Sequence, residues 1–579
     1  MDAAPATVPV TPVAAAAPAT PDAAVNNAEA IIDLLLTVGH VDGVFHQRER
    51  SFVARYLESV LSQAEDLAGG GPELRTWIHA AYQAHFDTVY QRVLAEVVRL
   101  TSEVYAVGDG AYLVTRLKLR ALATFRGLAP RDQVTALELL RAFMHSDGIV
   151  SEPEEVLYQE LLAYFVPPTP AGPSIHSFTG PAVSAPTALR PMAVLAPCWN
   201  PLKAMAHPLL EPLEQSFSPH PVELQSQLAL DWQLVGHALQ RWQDLRRPGH
   251  GLLTGITDID QIPAGAQFLD GHVHVLRPRR PIELVVLGDL HGCYACLKAA
   301  LLQSDFVNRA WLHQWDPHHY PDVKLVLLGD YIDRGRFSFD GVLRAVLQLF
   351  VAMPDNVFVL RGNHEYFLER NGQIWSGVHP AEGLFSIAPY APRELLEAYR
   401  MLFEEMPTSL LFDRTLFVHG GIPREDSLAA HYRDLSSLGD PELRFQMLWS
   451  DPTQVDEVPI ELQKHSARFN FGRRQFRSFM ERIGCHTLIR GHEQIEPGFD
   501  IVYDLGDRLL LNLFSAGGAD NRDLPPDCAY RKVRPMALTI VQDQAGLRAV
   551  PWPIEYQPFN YETRNGFYRP APLLEHRYT

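Results

Sequence analysis

The chain has 579 residues, 47% of them hydrophobic and 20% charged, a balance typical of a soluble globular protein with about two to four domains. Its net charge of −18 argues against nucleic acid or an anionic membrane surface as the main partner. Its five cysteines are too few and scattered for a disulfide framework, and no apolar run is long enough to span a membrane. We therefore expect a cytoplasmic protein.

The N-terminal part changes character near residue 26. Residues 1–25 are mostly Ala, Pro, Thr and Val, which predicts disorder because so little surface can be buried. No Lys or Arg precedes Arg48, so the segment lacks the basic start of a signal peptide. Residues 26–165 contain little proline and show helical spacing of apolar residues, which predicts an all-α domain.

This helical region contains an internal repeat, in which residues 34–43 align with residues 139–148. Each copy has an Asp-Gly turn and a Glu seven residues after the Asp: Asp42 with Glu49, and Asp147 with Glu154. The acidic pairs are candidates for holding a cation. A capping box, with Ser151 as N-cap and Glu154 at N3, is the favoured explanation of the second pair.

A second proline-rich stretch, residues 166–220, predicts an extended linker. Residues 221–550 follow as an α/β domain, with a helix over Val222–Leu245 and a tail at residues 551–579. Apolar runs suited to buried strands alternate with helical patterns in this domain: Ile282–Leu287, Lys324–Leu328, Asn356–Leu360, Thr415–Val418 and His486–Ile489.

A short polar cassette follows each of these five runs. The cassettes are Gly288-Asp-Leu-His-Gly292, Gly329-Asp-Tyr-Ile-Asp-Arg-Gly335, Arg361-Gly-Asn-His-Glu365, His419-Gly-Gly421 and Arg490-Gly-His492. One such His alone would be read as a hydrogen-bonded loop residue. Five cassettes in order, each after a strand, predict side chains that converge on one crevice at the carboxyl ends of the strands.

The side chains of the cassettes form a ligand set for two divalent ions. Asp289 and His291 can reach one ion from one loop, and Asp330 can bridge two ions with its two oxygens. Imidazole, carboxylate and amide oxygen together suit Mn, with Fe or Zn as alternatives, better than Ca. Two such ions predict hydrolysis, most simply of a phosphate ester.

Residues 281–520 resemble the phosphoprotein phosphatase family of serine/threonine phosphatases, within the calcineurin-like metallophosphoesterases. Besides the cassettes, the matching stretches are Pro354–Leu360, Trp449-Ser-Asp-Pro452, Phe471-Gly472 and Leu513-Phe-Ser-Ala516. The resemblance implies an α/β fold with a β-sandwich flanked by helices. It also implies hydrolysis of phosphoserine and phosphothreonine in proteins by hydroxide made from water between two metals.

The resemblance also implies a role for each matching residue. One metal would be held by Asp289, His291 and Asp330, and the other by Asp330, Asn363, His419 and His492. His364 would be the general acid, oriented by Asp333. Arg334 would bind phosphate oxygens with its planar guanidinium.

Two stretches depart from the family pattern. The second phosphate-binding Arg is matched only by Arg468, with Arg473 and Arg474 as competitors. The family's Pro-Asn-Tyr after Phe-Ser-Ala is replaced by residues 517–520, Gly-Gly-Ala-Asp, so a loop over the site differs. The neighbouring Cys293 and Cys296 are interpreted as free thiols on a helix rather than a redox pair.

The repeated turn in residues 26–165 resembles the TerB-like domain of tellurite resistance. This resemblance implies an all-α interaction or sensing module that could bind a protein partner. Two alternatives to the protein phosphatase remain: a hydrolase of dinucleoside polyphosphates or other small phosphoesters, and an inactive scaffold. Asp333 argues against the dinucleotide enzymes, which usually lack it, and the complete ligand set argues against the scaffold.

Overall fold

The structure is a computed structural model that describes residues 21–41, 48–56, 88–95, 110–146, 150–164, 192–217, 221–464, 466–543 and 546–569. Its contacts divide the chain into two compact units, one N-terminal and one C-terminal. None of the helices described is both long and apolar enough to cross a membrane.

The described part of the N-terminal unit is helical. Its helices are α1 (Pro21–Val38), α2 (Gly110–Gly127), α3 (Pro130–Met144) and α4 (Glu152–Tyr164), and residues 48–56 and 88–95 are also helical. Helix α1 begins five residues before the predicted limit of the disordered segment, and residues 1–20 lie outside the described residues. Ile32, Leu35 and Leu36 are buried on one side of α1, as their spacing predicts.

The two copies of the internal repeat share a local contact. Nδ1 of His40 lies 2.7 Å from the carbonyl of Leu36, and Nδ1 of the aligned His145 lies 2.8 Å from the carbonyl of Arg141. Asp42 and Asp147, the candidate cation ligands, lie outside the described residues. The carboxylate of Glu154 accepts the backbone N–H of Ser151 at 2.8 Å, which is the capping interaction predicted from the sequence.

The C-terminal unit contains helices and strands throughout. Its helices are α5 (Glu211–Ser216), α6 (Pro221–Gly249), α7 (Tyr294–Ser304), α8 (Phe306–Trp315), α9 (Arg344–Ala352), α10 (Glu382–Ile387), α11 (Arg393–Glu405), α12 (Glu425–His431), α13 (Pro441–Trp449), α14 (Ile460–Gln463) and α15 (Arg473–Arg482). Its strands are β1 (Ala193–Val194), β2 (Ala266–Asp270), β3 (Val273–Arg277), β4 (Ile282–Leu287), β5 (Asp322–Leu327), β6 (Val357–Val359), β7 (Phe367–Arg370), β8 (Gln373–Ser376), β9 (Ser409–Phe412), β10 (Thr415–Val418), β11 (Ser450–Pro452), β12 (Phe469–Phe471), β13 (Thr487–Arg490), β14 (Phe499–Asp504), β15 (Leu509–Leu513), β16 (Met536–Asp543) and β17 (Gly546–Pro553).

Two mixed sheets form the centre of this unit. The first has six strands in the order β1-β17-β16-β4-β5-β6, and the second has seven in the order β14-β15-β13-β10-β9-β3-β2. Strands β4, β5 and β6 run parallel, as do β10, β13 and β15. Two further pairs, β7-β8 and β11-β12, lie outside these sheets.

The sheets pack face to face, and helices cover their outer faces. Leu284 and Val286 of β4 share one buried cluster with Leu511 of the second sheet. Val285 and Leu287, the alternating residues of β4, belong instead to the cluster formed with helices such as α7 and α9. Because successive side chains of a strand point to opposite faces, β4 is buried on both sides and reads as a continuous apolar run. The predicted α/β class is confirmed.

The C-terminal unit includes parts of the predicted linker and tail. Within residues 192–217, β1 pairs with β17, and α5 contributes the buried Glu214. The carboxylate of Glu214 accepts from Nζ of Lys298 at 2.5 Å and from the backbone N–H of Gly566 at 2.9 Å. This proline-rich part of the chain is largely exposed, but it is attached to the unit where Glu214 contacts α7 and residues beyond 550.

Candidate active site

The five cassettes lie at the carboxyl ends of neighbouring strands. Strands β4, β5 and β6 of the first sheet lead into the cassettes that carry Asp289, Asp330 and Asn363. Strands β10 and β13 of the second sheet lead into those that carry His419 and His492. The sandwich therefore brings all five loops to one edge, as expected for parallel strands.

Two cassette glycines allow backbone and carboxylate to come into contact. A Cβ at Gly491 would lie 2.1 Å from Oδ1 of Asp289, and one at Gly362 would lie 2.1 Å from Oδ1 of Asp330. Any side chain at either position would push a carboxylate away from the centre. These glycines are therefore required by close approach.

The backbone is strained where the predicted site residues lie. Among the described non-glycine residues, the left-handed region is occupied by His291 (φ 42°), Asp330 (φ 55°), Asp333 (φ 67°), Arg334 (φ 66°) and His492 (φ 68°), besides three residues elsewhere. Each such residue costs of order 1–3 kcal/mol, so the surrounding fold must hold them in place. Such strain is typical of functional sites.

The hydrogen bonds of two histidines direct lone pairs into the centre. Nδ1 of His419 lies 3.0 Å from the carbonyl of Leu328 and must donate to it, since a carbonyl only accepts. Burial lowers the pKa of His419, so the ring is neutral and Nε2 carries a lone pair. That Nε2 faces Oδ1 of Asn363 at 2.8 Å and Oδ1 of Asp330 at 3.3 Å. Three acceptors facing one another fit a bound cation.

His291 repeats this arrangement on the other side of Asp330. Its Nδ1 lies 2.9 Å from the carbonyl of Ile332, so Nε2 again carries the lone pair. Nε2 lies 3.3 Å from Oδ2 of Asp330 and 3.7 Å from Oδ2 of Asp289. Each oxygen of Asp330 thus faces a different histidine, which is the geometry a bridging carboxylate needs.

Several further observations fit two cations. Two groups of side chains could each hold an ion, His291, Asp330 and His364 in one and Asp330, His419 and His492 in the other, with Asp330 common to both. Oδ2 of Asp289 and Nε2 of His492 are buried without a hydrogen-bond partner among the described residues. Burial raises the pKa of Asp289 to about 7 and that of Asp330 to about 8, and a bound cation would favour the ionised form of both.

Asn363 joins the ligands of the second group. Its Oδ1 is the acceptor nearest both His419, at 2.8 Å, and Nδ1 of His492, at 2.9 Å. The structure therefore brings together all six residues predicted to hold metal. Carboxylate, imidazole and amide oxygen suit divalent ions such as Mn, Fe or Zn.

His364 and Asp333 form a buried pair beside Asp330. Nδ1 of His364 lies 2.7 Å from Oδ2 of Asp333, and the other carboxylate oxygen accepts the N–H of Gly383 at 2.6 Å. Nε2 of His364 points toward Oδ2 of Asp330 at 3.9 Å. Burial raises the pKa of Asp333 to about 6 and lowers that of His364. An anion bound at the site would favour the protonated ring.

Both predicted phosphate-binding arginines lie at the site. Arg334 and Arg468 are close enough to act electrostatically on Asp330 and His364. Nε of Arg468 donates to Oδ2 of Asp451 at 2.7 Å, which fixes the guanidinium. The competitors lie elsewhere, since Arg474 is 73% exposed and the guanidinium of Arg473 contacts Gln454.

Two further residues, for which the sequence predicted no role, lie at the site. The hydroxyl of Tyr530 lies 3.3 Å from Nε2 of His291, and burial raises its pKa, so it remains a donor. The carboxylate of Glu365 accepts the backbone N–H groups of Asp330 at 2.8 Å and Gly362 at 2.9 Å. Glu365 lies inside one of the five cassettes, so its position in the sequence could have identified it as a site residue. Tyr530 lies beyond residues 517–520, where the chain departs from the family pattern, and no motif in the sequence marks it.

The two neighbouring cysteines are free and buried. Cys293 precedes α7 and Cys296 lies in its first turn. Burial raises the pKa of Cys293 well above its usual value. A buried thiol of raised pKa is unreactive, which agrees with the interpretation as free thiols rather than a redox pair.

Comparison with known proteins agrees with this site. Residues 282–496 match the family model of the calcineurin-like phosphoesterases. A probable serine/threonine-protein phosphatase of Encephalitozoon cuniculi is 26% identical over 257 residues, which are 44% of this chain and 50% of the relative. The chain thus spans half the length of that curated relative.

Solved structures of phosphatases are also similar. One, a protein serine/threonine phosphatase from Saccharomyces cerevisiae with similarity to human phosphatase PP5, has 16% identity and a TM-score of 0.36, covering 56% of this chain and 89% of the other. Another, a cold-active protein-tyrosine phosphatase of a psychrophilic Shewanella, has 13% identity and a TM-score of 0.29, covering 49% and 82%. The part of this chain that carries the five cassettes, residues 282–496, is thus similar to the calcineurin-like phosphoesterases.

Proposed function

We propose that the chain is a metal-dependent protein phosphatase that hydrolyses phosphoserine and phosphothreonine monoesters. The observation that carries the proposal is the buried pair of His364 and Asp333 beside Asp330, with Arg334 adjacent in sequence. A metal cluster alone would serve many hydrolases. A proton donor and a phosphate clamp at the same centre favour a phosphomonoester whose leaving group is a poor one.

In this proposal the six ligands hold two divalent ions, Mn in preference to Fe or Zn. When bound, such ions lower the pKa of water and offset negative charge on the attacking and leaving oxygens. Nδ1 of both His291 and His419 donates to a backbone carbonyl, which keeps each Nε2 aimed at the centre. Glu365 holds the loop of Asp330 through backbone N–H groups.

The remaining side chains act on the substrate. Arg334 and Arg468 bind the phosphate oxygens, and Asp451 keeps the guanidinium of Arg468 in place. His364 donates a proton from Nε2 to the leaving serine or threonine oxygen. Asp333 accepts from Nδ1 of His364 and stabilises the imidazolium before that transfer. The dianionic substrate also favours the protonated ring.

The test is a substrate panel with the full chain loaded with Mn. We expect release of inorganic phosphate from phosphoserine and phosphothreonine peptides, and no release from the Asp330→Asn variant. Diadenosine tetraphosphate serves as the alternative substrate. Hydrolysis of the dinucleotide without hydrolysis of the peptides would contradict the proposal, as would the absence of any hydrolysis by a metal-loaded protein.

A further inference from the structure

A carboxylate lies against the proposed phosphate ligand Arg334. Nη1 of Arg334 is 3.1 Å from each of the two carboxylate oxygens of Glu382, the first residue of α10. The same nitrogen lies 3.3 Å from the carbonyl oxygen of Pro380. The guanidinium that would bind a phosphate therefore already holds an anion.

The two partners differ in their access to water. The side chain of Arg334 is 10% exposed, whereas that of Glu382 is 42% exposed. A change of side-chain rotamer would move the carboxylate of Glu382 into solvent, where hydration compensates for the lost ion pair. Arg334 has less freedom to move, because its side chain is largely buried.

The backbone next to Glu382 is anchored to the proton-transfer pair. The N–H of Gly383 donates to Oδ1 of Asp333 at 2.6 Å. A Cβ at Gly383 would lie 2.9 Å from the same oxygen, so this approach requires glycine. Glu382 is thus kept within reach of Arg334, and its carboxylate can leave without displacing Asp333.

We propose that Glu382 is a built-in competitor for the phosphate group, occupying Arg334 until a phosphate dianion displaces it. This inference rests on the proposed role of Arg334 as a phosphate ligand. A dianion with three acceptor oxygens outcompetes a single carboxylate, whereas weaker anions do not. Glu382 therefore raises the concentration of phosphate needed to fill the site and selects for doubly charged groups.

The test measures binding of inorganic phosphate by calorimetry to the full chain, loaded with Mn and freed of excess metal. Glu382→Gln should bind phosphate about two- to fivefold more tightly than the wild type, the range expected for loss of one partly exposed ion pair. Glu394→Gln is the matched control. This substitution removes the same charge from an exposed residue of the next helix, α11. It should bind phosphate as the wild type does.

A double-mutant cycle separates the ion pair from a long-range charge effect. In an Arg334→Gln background, Glu382→Gln should leave the phosphate Kd unchanged, because the competitor has lost its partner. The same tightening in both backgrounds would overturn the proposal. Weaker or equal binding by Glu382→Gln alone would also overturn it, since the carboxylate would then serve to position Arg334 or do nothing.

The binding measurement is independent of turnover. A chain that hydrolyses no phosphopeptide can still show tighter phosphate binding in the Glu382→Gln variant. That result would contradict the proposed substrate and support the role of Glu382 as a competitor. A chain that hydrolyses phosphopeptides but shows no change in Kd retains its proposed function and loses the competitor. The melting temperature of each variant checks that the fold is intact.

Discussion

Oδ2 of Asp333 lies 2.7 Å from Nδ1 of His364, on the side of the ring opposite the metal ligand Asp330 proposed above. This contact orients Nε2 toward the centre and leaves it as the atom that faces a substrate. It also makes the two residues a single unit for proton transfer.

Replacing His364 by Asn should reduce the turnover of phosphoserine peptides about 10²–10⁴-fold, the usual contribution of a general acid. Hydrolysis of p-nitrophenyl phosphate should fall less, because its leaving group needs little protonation. Asp333→Asn should show the same selectivity, and the exposed His318→Asn should show no effect. Steady-state kinetics with both substrates measure this.

Metal content separates this role from a ligand role. Since His364 belongs to one of the groups that could hold an ion, the variant must be analysed for bound metal. If the variant retains its metal but loses more activity on phosphoserine peptides than on p-nitrophenyl phosphate, His364 is a general acid. Loss of metal, or an equal loss with both substrates, would show that His364 is a ligand instead.

With metal on Nε2 of His291, the hydroxyl of Tyr530 would be left to donate to the substrate, so Tyr530→Phe should lower kcat/KM about two- to tenfold, the effect of removing one neutral hydrogen-bond donor. Its hydroxyl lies 3.3 Å from Nε2 of His291, and its ring centroid lies 5.0 Å from that of His291. Bound metal should be unchanged, since the phenol is not a predicted ligand. Tyr561, which is 62% exposed, provides a matched Tyr→Phe control. An unchanged kcat/KM would place Tyr530 outside the substrate site.

Chelating the metal should make stability depend on pH in a defined direction. Burial raises the folded-state pKa of Asp289 to about 7, of Asp330 to about 8 and of Glu365 to about 7. A raised carboxyl pKa contributes stability that is present below the unfolded pKa, about 3.9 for Asp, and is lost as pH rises through the folded pKa. The chelated protein should therefore be less stable at pH 8 than at pH 6.

Bound cations compensate these charges, so the metal-loaded protein should lose much less stability between pH 6 and pH 8. The difference in unfolding free energy between loaded and chelated protein should widen by at least about 1.4 kcal/mol from pH 6 to pH 8, the equivalent of one pKa unit. Denaturant titrations with and without EDTA measure it. Asp330→Asn should flatten the profile of the chelated protein. A difference that narrows with rising pH would contradict the assignment of these carboxylates.

Two truncations should show whether the folded C-terminal unit needs residues 192–217. Removing residues 1–191 should leave a folded unit, whereas removing residues 1–220 also deletes Glu214, the partner of the buried Lys298. Leaving one charge of a buried pair alone costs about 3–5 kcal/mol. Glu214→Gln in the full chain measures the loss of this ion pair alone, because α5 is retained. Equal melting temperatures for the two truncations would show that residues 192–217 contribute nothing.

Much of the site could be predicted because its signals are local. Each cassette directly follows its strand, so the runs at Ile282–Leu287 and Thr415–Val418 locate the loops, and both are strands with those bounds. The capping interaction of Glu154 is likewise local, because it joins two residues three positions apart. Patterns of this kind depend on spacing along the chain, which a single sequence displays.

Contacts made across the chain could not be predicted in this way. Tyr530 reaches His291 from 239 positions away, and Glu382 reaches Arg334 from 48 positions away. Neither has a distinctive spacing, and each reaches its partner only through the packing of segments that are distant in sequence. Residues 192–217 were misleading for another reason, since proline content describes backbone stiffness and not whether a segment is packed.

In the proposed function, two metal ions share Asp330 as a common ligand. The direct measurement is metal analysis of the purified full chain after Mn loading, combined with hydrolysis of a phosphoserine peptide, for wild type and Asp330→Asn. We expect about two ions per wild-type chain, as in two-metal phosphatases, and loss of both metal and hydrolysis in the variant. A wild type that binds a single ion, or a variant that keeps full activity, would contradict the claim.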